Sequence, residues 1–156
     1  MAKALAIGDI FEIRTPKGFA YMQYTLKDPA LGHLIRILKG VYKKRPKSFK
    51  EIVREKEIFY VFFPLSAAER RKIVAWVANE DIPESAKARP MMKKGGGVTR
   101  EGKVLNWIIS DGSSEKIVEK LSEEQKTYSP EEIWNDTMLI DRICSGWLPR
   151  DEVKQG

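Results

Sequence analysis

Side-chain catalysis needs a positioned acid or base, a nucleophile or a metal, and residues that could fill these roles are scarce here. The chain has one histidine, His33, and one cysteine, Cys144. A Ser/His/Asp or Cys/His arrangement would have to be built on His33, and nothing in the sequence pairs it with Ser110, Ser113 or Cys144. Cys144 falls on the apolar face of the expected C-terminal helix, where a thiol behaves as a small hydrophobe. One His and one Cys do not supply the four N/S ligands of a structural zinc site. The pairs Glu123-Glu124 and Glu131-Glu132 fall in expected first helical turns, where they complement the helix dipole. Lys93-Lys94-Gly95-Gly96-Gly97-Val98-Thr99 superficially suggests a phosphate loop. It lacks the Gly-Lys-Ser/Thr order that such a loop needs, so a flexible loop tip is expected. The reading is a non-catalytic binding protein with no metal and no cofactor. A small-molecule substrate is not expected, and no particular binding residues stand out.

Aromatic and charged residues say more about partners. Tyr21, Tyr24, Tyr60, Trp76, Trp107, Trp134 and Trp147 are many large anchors for 156 residues. Most should be core, and amphipathic Tyr or Trp at the surface would suit an interface. The formal net charge is +6. Eight Lys/Arg lie between Lys39 and Lys56 and six between Lys87 and Lys103, whereas eight acids stand against three lysines between Asp111 and Asp136. This predicts a basic side and an acidic side, which suits protein recognition better than uniform phosphate tracking. The basic stretches keep a small nucleic-acid-binding module as the alternative, a weaker one, because no ordered basic, glycine and aromatic RNA-binding pattern is present.

The elements that must position these residues follow from periodicity and turn chemistry. Asp9–Arg14 alternates polar and apolar, Phe19–Leu26 is rich in aromatics, and His33–Leu38 closes at Gly40, which predicts a β-meander with a turn at Pro16-Lys17-Gly18. Ser48 and Glu51 have capping-box spacing for a short helix. Glu57–Phe63 reads as a buried strand ending at Pro64. Ser66 and Glu69 form another capping box, and residues 66–78 are open between helix, strand or both. Residues 80–102 read as the least structured stretch. The runs 104–109 and 116–121 flank Asp111-Gly112 as a hairpin. Ser122 and Gln125 form a further box. The last helix is expected from Ser129 as N-cap and Pro130 at the first helical position to about Ser145, with Gly146 as C-terminal cap. Its apolar face is read as Ile133, Thr137, Ile140, Cys144 and Trp147.

Strands dominate the first two thirds and helix the last quarter. This predicts one α+β domain over residues 1–156, a small bent antiparallel sheet or partly open barrel with a C-terminal helix packed on it. A lone cysteine fits a reducing compartment. The N-terminal apolar stretch is too short for a signal peptide, and no window is long enough to span a bilayer. A cytoplasmic protein without membrane association is therefore expected. Internal repeats and low-complexity segments are absent from the sequence.

Two regions together are distinctive. The first is Gly8-Asp9-Ile10-Phe11-Glu12-Ile13 followed by Gly18-Phe19-Ala20-Tyr21-Met22-Gln23. The second runs from Trp107-Ile108-Ile109-Ser110-Asp111-Gly112 through Leu121–Gln125 to Ile133-Trp134-Asn135-Asp136 and Leu139–Ile143. In this order and spacing they resemble the immunity protein 26 family of bacterial toxin–immunity systems, over about residues 7 to 147. The resemblance implies a cytoplasmic protein that binds and occludes a toxin domain. It brings no set of binding residues. An inhibitor of a nucleic-acid-cleaving toxin should be acidic to match a basic active-site surface. The net charge of +6 implies instead that the toxin is not a nuclease or that the stretch 111–136 makes the contact.

Overall fold

The computed structural model describes residues 4–152. The fold is α+β, with two open sheets and a C-terminal helix. The first sheet is built from the meander β1 (Asp9–Thr15), β2 (Gly18–Asp28) and β3 (Gly32–Ile37), extended by β4 (Tyr60–Phe62) on one side and β5 (Val74–Asn79) on the other. All its pairs are antiparallel, in the order β4-β3-β2-β1-β5. Register shifts at Ile10/Phe11 and at Tyr24/Leu26 bend it, as bulges do. The tight β1–β2 turn needs Gly18: its φ is +133°, and a Cβ there would stand 2.6 Å from the Tyr42 carbonyl oxygen.

Both faces of this sheet are covered, one by apolar packing alone and the other by apolar side chains mixed with buried Glu12, Gln23 and Arg36. On one face Phe11, Ile13, Met22, Ile35 and Val61 pack with Trp134 and Leu139 from the C-terminal region. On the other, Ile10, Tyr21 and Leu38 are covered by Phe49 and Val53. Those two residues lie within the basic stretch 39–56, which is thus a tethered covering segment. Arg45 holds it down by a forked pair of bonds, 2.8 and 3.1 Å, to Glu12, whose other donor is the Tyr21 hydroxyl at 2.7 Å. The Arg45 guanidinium, chiefly, keeps the Glu12 carboxyl below its ordinary value.

The second sheet contains β6 (Met92–Gly95), β7 (Trp107–Ser110), β8 (Glu115–Val118) and β9 (Ser129–Pro130), in the order β8-β7-β6-β9. The β6–β9 pair is parallel and the others antiparallel. Asp111-Gly112 turns the β7–β8 hairpin as expected, with the Asp111 carboxylate accepting from the Ser113 and Ser114 amides. These bonds hold its carboxyl down near about 2. Met92 reaches across to Leu34, Tyr60, Phe62, Ile82 and Ala86, giving the two sheets a shared apolar cluster.

Of the local expectations, some are met and others corrected. Residues 66–78 contain both elements, helix α1 (Leu65–Arg70) and then β5. The helix starts after Pro64, with no side-chain cap, because buried Leu65 fixes its first turn and exposed Ser66 is already inside it. Ser48 caps no helix. Its Oγ accepts from the Lys50 amide at 3.3 Å, and the segment makes only a 3-10 turn at Ile52–Arg54. The stretch 80–102 is more ordered than its composition suggests. It holds β6, and beyond it Gly96–Asn106 and Val98–Val104 pairings carry the β6–β7 hairpin outward. Ser122 and Gln125 make both reciprocal capping-box bonds, at 2.9 and 3.1 Å, opening a 3-10 turn at Gln125–Thr127.

The largest correction concerns the last helix. Ser129-Pro130 is strand β9, and helix α2 spans Asp136–Ser145. Its N-cap is Asn135, whose side chain accepts from the Met138 amide at 2.8 Å, and Gly146 closes it at φ +70°. Ile133 is exposed outside the helix and Thr137 is exposed within it. The packed face is Leu139 with Met138, Ile140, Ile143 and Trp147. Ser129 has another use: its Oγ accepts from the buried Tyr60 amide at 2.9 Å. Asn135→Ala should therefore cost about 1 kcal/mol through loss of the cap. Ser129→Ala should cost about 1–3 kcal/mol by leaving the Tyr60 N–H without its acceptor, with helix α2 intact. Chemical denaturation and far-UV circular dichroism of the two variants check both outcomes.

Candidate binding groove at the junction of the two sheets

Residues 129–134 are bonded to both sheets in turn. Ser129 and Pro130 lie parallel to Met92 and Lys93, and the Glu131 amide donates to the Lys93 carbonyl at 2.8 Å. The segment then changes partner: the Phe62 amide donates to the Glu132 carbonyl at 3.1 Å, and the Trp134 amide to the Phe62 carbonyl at 3.0 Å. Beside this crossing lies a groove of about 440 Å³, whose walls include Phe59, Tyr60, Met91, Tyr128, Ser129 and Leu148. Met91 and Leu148 are each 42% exposed, unusual for large apolar side chains that share one concavity. Lys56 and Arg150 on the one hand, and Glu57 and Glu124 on the other, bring charges of both signs to its rim.

The polar groups of the groove are fixed by a buried guanidinium. Arg36 is fully buried in β3 and donates to Gln23 Oε1 at 2.6 Å, to the Val53 and Glu55 carbonyls at 3.1 and 2.8 Å, and to Glu57 Oε1 at 3.1 Å. Tyr60 adds its hydroxyl to the same Glu57 oxygen at 3.0 Å. Burial first, and then the Glu57 charge, push the Tyr60 hydroxyl well above its ordinary value. At neutral pH it is a protonated donor. Glu57 is the counter-ion of Arg36. These groups orient one another and present a shaped, mixed-polarity wall.

Below the crossing lies a second buried cation. Lys93 is 1% exposed, and its Nζ donates to the Lys126 and Pro149 carbonyls at 2.7 and 2.9 Å, with the Trp107 ring 5.9 Å away. It ties the 3-10 turns at Gln125–Thr127 and Pro149–Asp151 to the second sheet, and both turns contribute to the groove. The phosphate-loop likeness ends here, since Lys93 points into the protein and Lys94 pairs with Glu115 and Glu131 at 3.0 and 3.2 Å. The Gly96-Gly97 run is part of the outer hairpin, not a mobile tip.

The other reactive types serve local structure. His33 stacks edge-on against Tyr24, and burial lowers its basicity. It lines a separate recess with Pro64, Arg70 and Ile133. Ser110 Oγ accepts from the Gly112 amide and Ser113 Oγ donates to Asp111, both inside the hairpin turn. Cys144 is half-buried on α2, and its carbonyl accepts from Lys17 Nζ. Among the described residues no cluster of three or more His, Cys, Asp or Glu is arranged to hold a metal ion. No helix among them is long and apolar enough to cross a membrane.

The expected separation of charge is only partial. Arg89 bonds Asp28 and Glu131, the latter at 2.8 Å, and Lys94 joins Glu131 to Glu115. The basic stretch 87–103 and the acidic stretch 111–136 thus partly neutralise each other within one sheet. The basic stretch 39–56 keeps Lys39, Lys43, Lys44, Lys47 and Lys50 exposed. Of the aromatics, Tyr21, Tyr24, Trp107 and Trp134 are core. Tyr60 is buried at the groove wall, and Trp76 is 41% exposed with its indole N–H on Asp9.

Burial pushes the Lys93 amine down to about 8. In the unfolded chain it holds its proton to about 10.4. Between those values the unfolded state binds more protons, so the Lys93 contribution to stability rises with pH, by at most about 3 kcal/mol. Thermal melts of the wild type and Lys93→Met between pH 7 and pH 10 should show the wild type gaining on the variant as pH rises. Tyr21 and Tyr60, raised by burial, are common to both proteins and cancel in the difference.

Comparison of the chain with protein-family models, curated proteins and solved structures gives no match.

Proposed function

We propose that this chain is a non-catalytic binding protein that captures a protein partner at the junction groove, and that the partner is a bacterial toxin domain that the chain occludes as a cytoplasmic immunity protein. The observation that carries the reading is the groove: Met91 and Leu148 stand half-exposed beside it, and a rigid Glu57–Tyr60–Arg36 network sets its wall. A concavity with apolar side chains among its walls and charges of both signs at its rim suits one anchoring side chain of a partner, surrounded by charged contacts that exclude water. The likeness of Gly8–Gln23 and of Trp107–Ile143 to immunity protein 26 sequences supplies the class of partner. The nucleic-acid reading draws on the exposed lysines of residues 39–50, whose attraction to phosphates would fade with salt.

The test is to search beside the gene for a toxin domain, co-express that domain with this chain and purify the pair. The proposal expects rescue of growth and a stable complex. Met91→Glu and Leu148→Glu should each weaken the complex about tenfold or more, while the melting temperature changes little because both side chains are already half in water. His33→Ala should leave protection intact. A complex indifferent to both groove substitutions would move the interface elsewhere. Tight, sequence-selective nucleic-acid binding at physiological salt, with no toxin complex, would replace the proposal by its alternative.

A further inference from the structure

Strand β5 ends the five-stranded sheet, with β1 as its only neighbour in that sheet among the described residues. Its sequence, Val74-Ala75-Trp76-Val77-Ala78-Asn79, has no charge and no proline, and Ala75, Trp76 and Asn79 are exposed. An edge strand carries a row of N–H and C=O groups that can template another strand, and proteins usually blunt such edges with charge, proline or brevity. The edge of the second sheet is blunted in this way. The four-residue strand β8 carries Glu115 and Lys116 and is followed by Glu119 and Lys120.

The charges around β5 are placed at its ends. Arg70, Arg71 and Lys72 precede it and Glu80 and Asp81 follow it. None of these five forms an ion pair among the described residues. A strand that is positive at its start and negative at its end is complementary to itself in the antiparallel sense. Arg71 and Lys72 lie in the turn that leaves α1, with Lys72 at φ +61°, so they are not ladder residues. An antiparallel pairing centred on Trp76 nevertheless brings this cationic turn of one copy to the end of the strand that Glu80 and Asp81 follow in the other, twice over by the two-fold axis. A parallel pairing would place cations on cations.

We infer that β5 is a self-association edge, and that two copies of this chain pair β5 with β5 antiparallel into a continuous ten-stranded sheet, formed from the five strands of each copy. The isologous arrangement closes on itself, so it yields a dimer and not a fibre. The edge belongs to the first sheet and makes no wall of the junction groove, so both surfaces can be used at once.

Sedimentation equilibrium at low salt, from micromolar to near-millimolar concentration, should approach twice 17.9 kDa and shift toward monomer as salt rises. Two charge-reversed variants, Arg71→Glu with Lys72→Glu and Glu80→Lys with Asp81→Lys, alter only residues outside the strand. Each alone should self-associate about tenfold or more weakly, since like charges now oppose. An equimolar mixture of the two should recover a heterodimer. Monomer throughout the concentration range would overturn the proposal. A wild-type dimer unaffected by either variant, or a mixture that fails to recover, would overturn it equally, because association would then use another surface.

Discussion

The arrangement depends on one short run of backbone, residues 129–134, that is bonded first to one sheet and then to the other. Pro130 stands at the point where the partner changes. It has no N–H to give to the side away from β6, where the Tyr60 amide is met by the Ser129 side chain instead. One residue later Glu131 still donates to Lys93, and by Glu132 the chain pairs with Phe62. Strand β4 is only three residues long, and as a bare edge would leave buried amides without acceptors. Ser129 Oγ and the Glu132 carbonyl satisfy the Tyr60 and Phe62 amides. Trp134 then carries the chain into the core against Phe59 and Trp147.

The groove is a consequence of that crossing. Two twisted sheets joined along a few residues diverge on either side of the join, and the space between them is walled by whatever the joining segments bring. Here these are Tyr128-Ser129, Pro90-Met91 and Leu148-Pro149. Two buried cations keep the walls in place, each by donating to main-chain carbonyls. Arg36 holds the Val53–Glu57 segment and Lys93 holds the turns at Gln125–Thr127 and Pro149–Asp151. Burying such charges is costly unless every donor finds an acceptor. That requirement gives the walls a defined geometry.

Much of the scaffold was legible in the sequence, because period-2 alternation and turn chemistry are local signals. The meander, the Asp111-Gly112 hairpin and the Gly146 cap follow from residues within a few positions of one another. The junction was not legible, for the same reason. Ser129-Pro130 has the local chemistry of a helix start, but Ser129 spends its oxygen on Tyr60, 69 positions earlier in the chain. The actual cap, Asn135, has Met138 and not a Glu three residues on, so it lacks the capping-box spacing. The roles of the two buried cations were hidden too. Arg36 interrupts an apolar strand, the one visible hint that a buried counter-ion must exist, whereas Lys93 in a Lys-Lys-Gly-Gly-Gly run looks like a solvated loop. Tyr60, Glu124 and Ser129 stand out in the sequence for other reasons, but nothing there joins them into a groove, since the walls come from four separated segments.

Native-state hydrogen exchange of the Tyr60, Phe62, Glu131 and Trp134 amides tests the central claim most directly. If the crossing binds the two sheets into one cooperative unit, these amides should exchange only through global unfolding, as slowly as those of Ile35 and Met22 in the centre of the first sheet. Exchange of the four amides together with β6, β7 and β8 in a lower-energy opening that leaves β1, β2 and β3 protected would contradict it. The sheets would then be separable, and the groove between them would have no fixed shape to offer a partner.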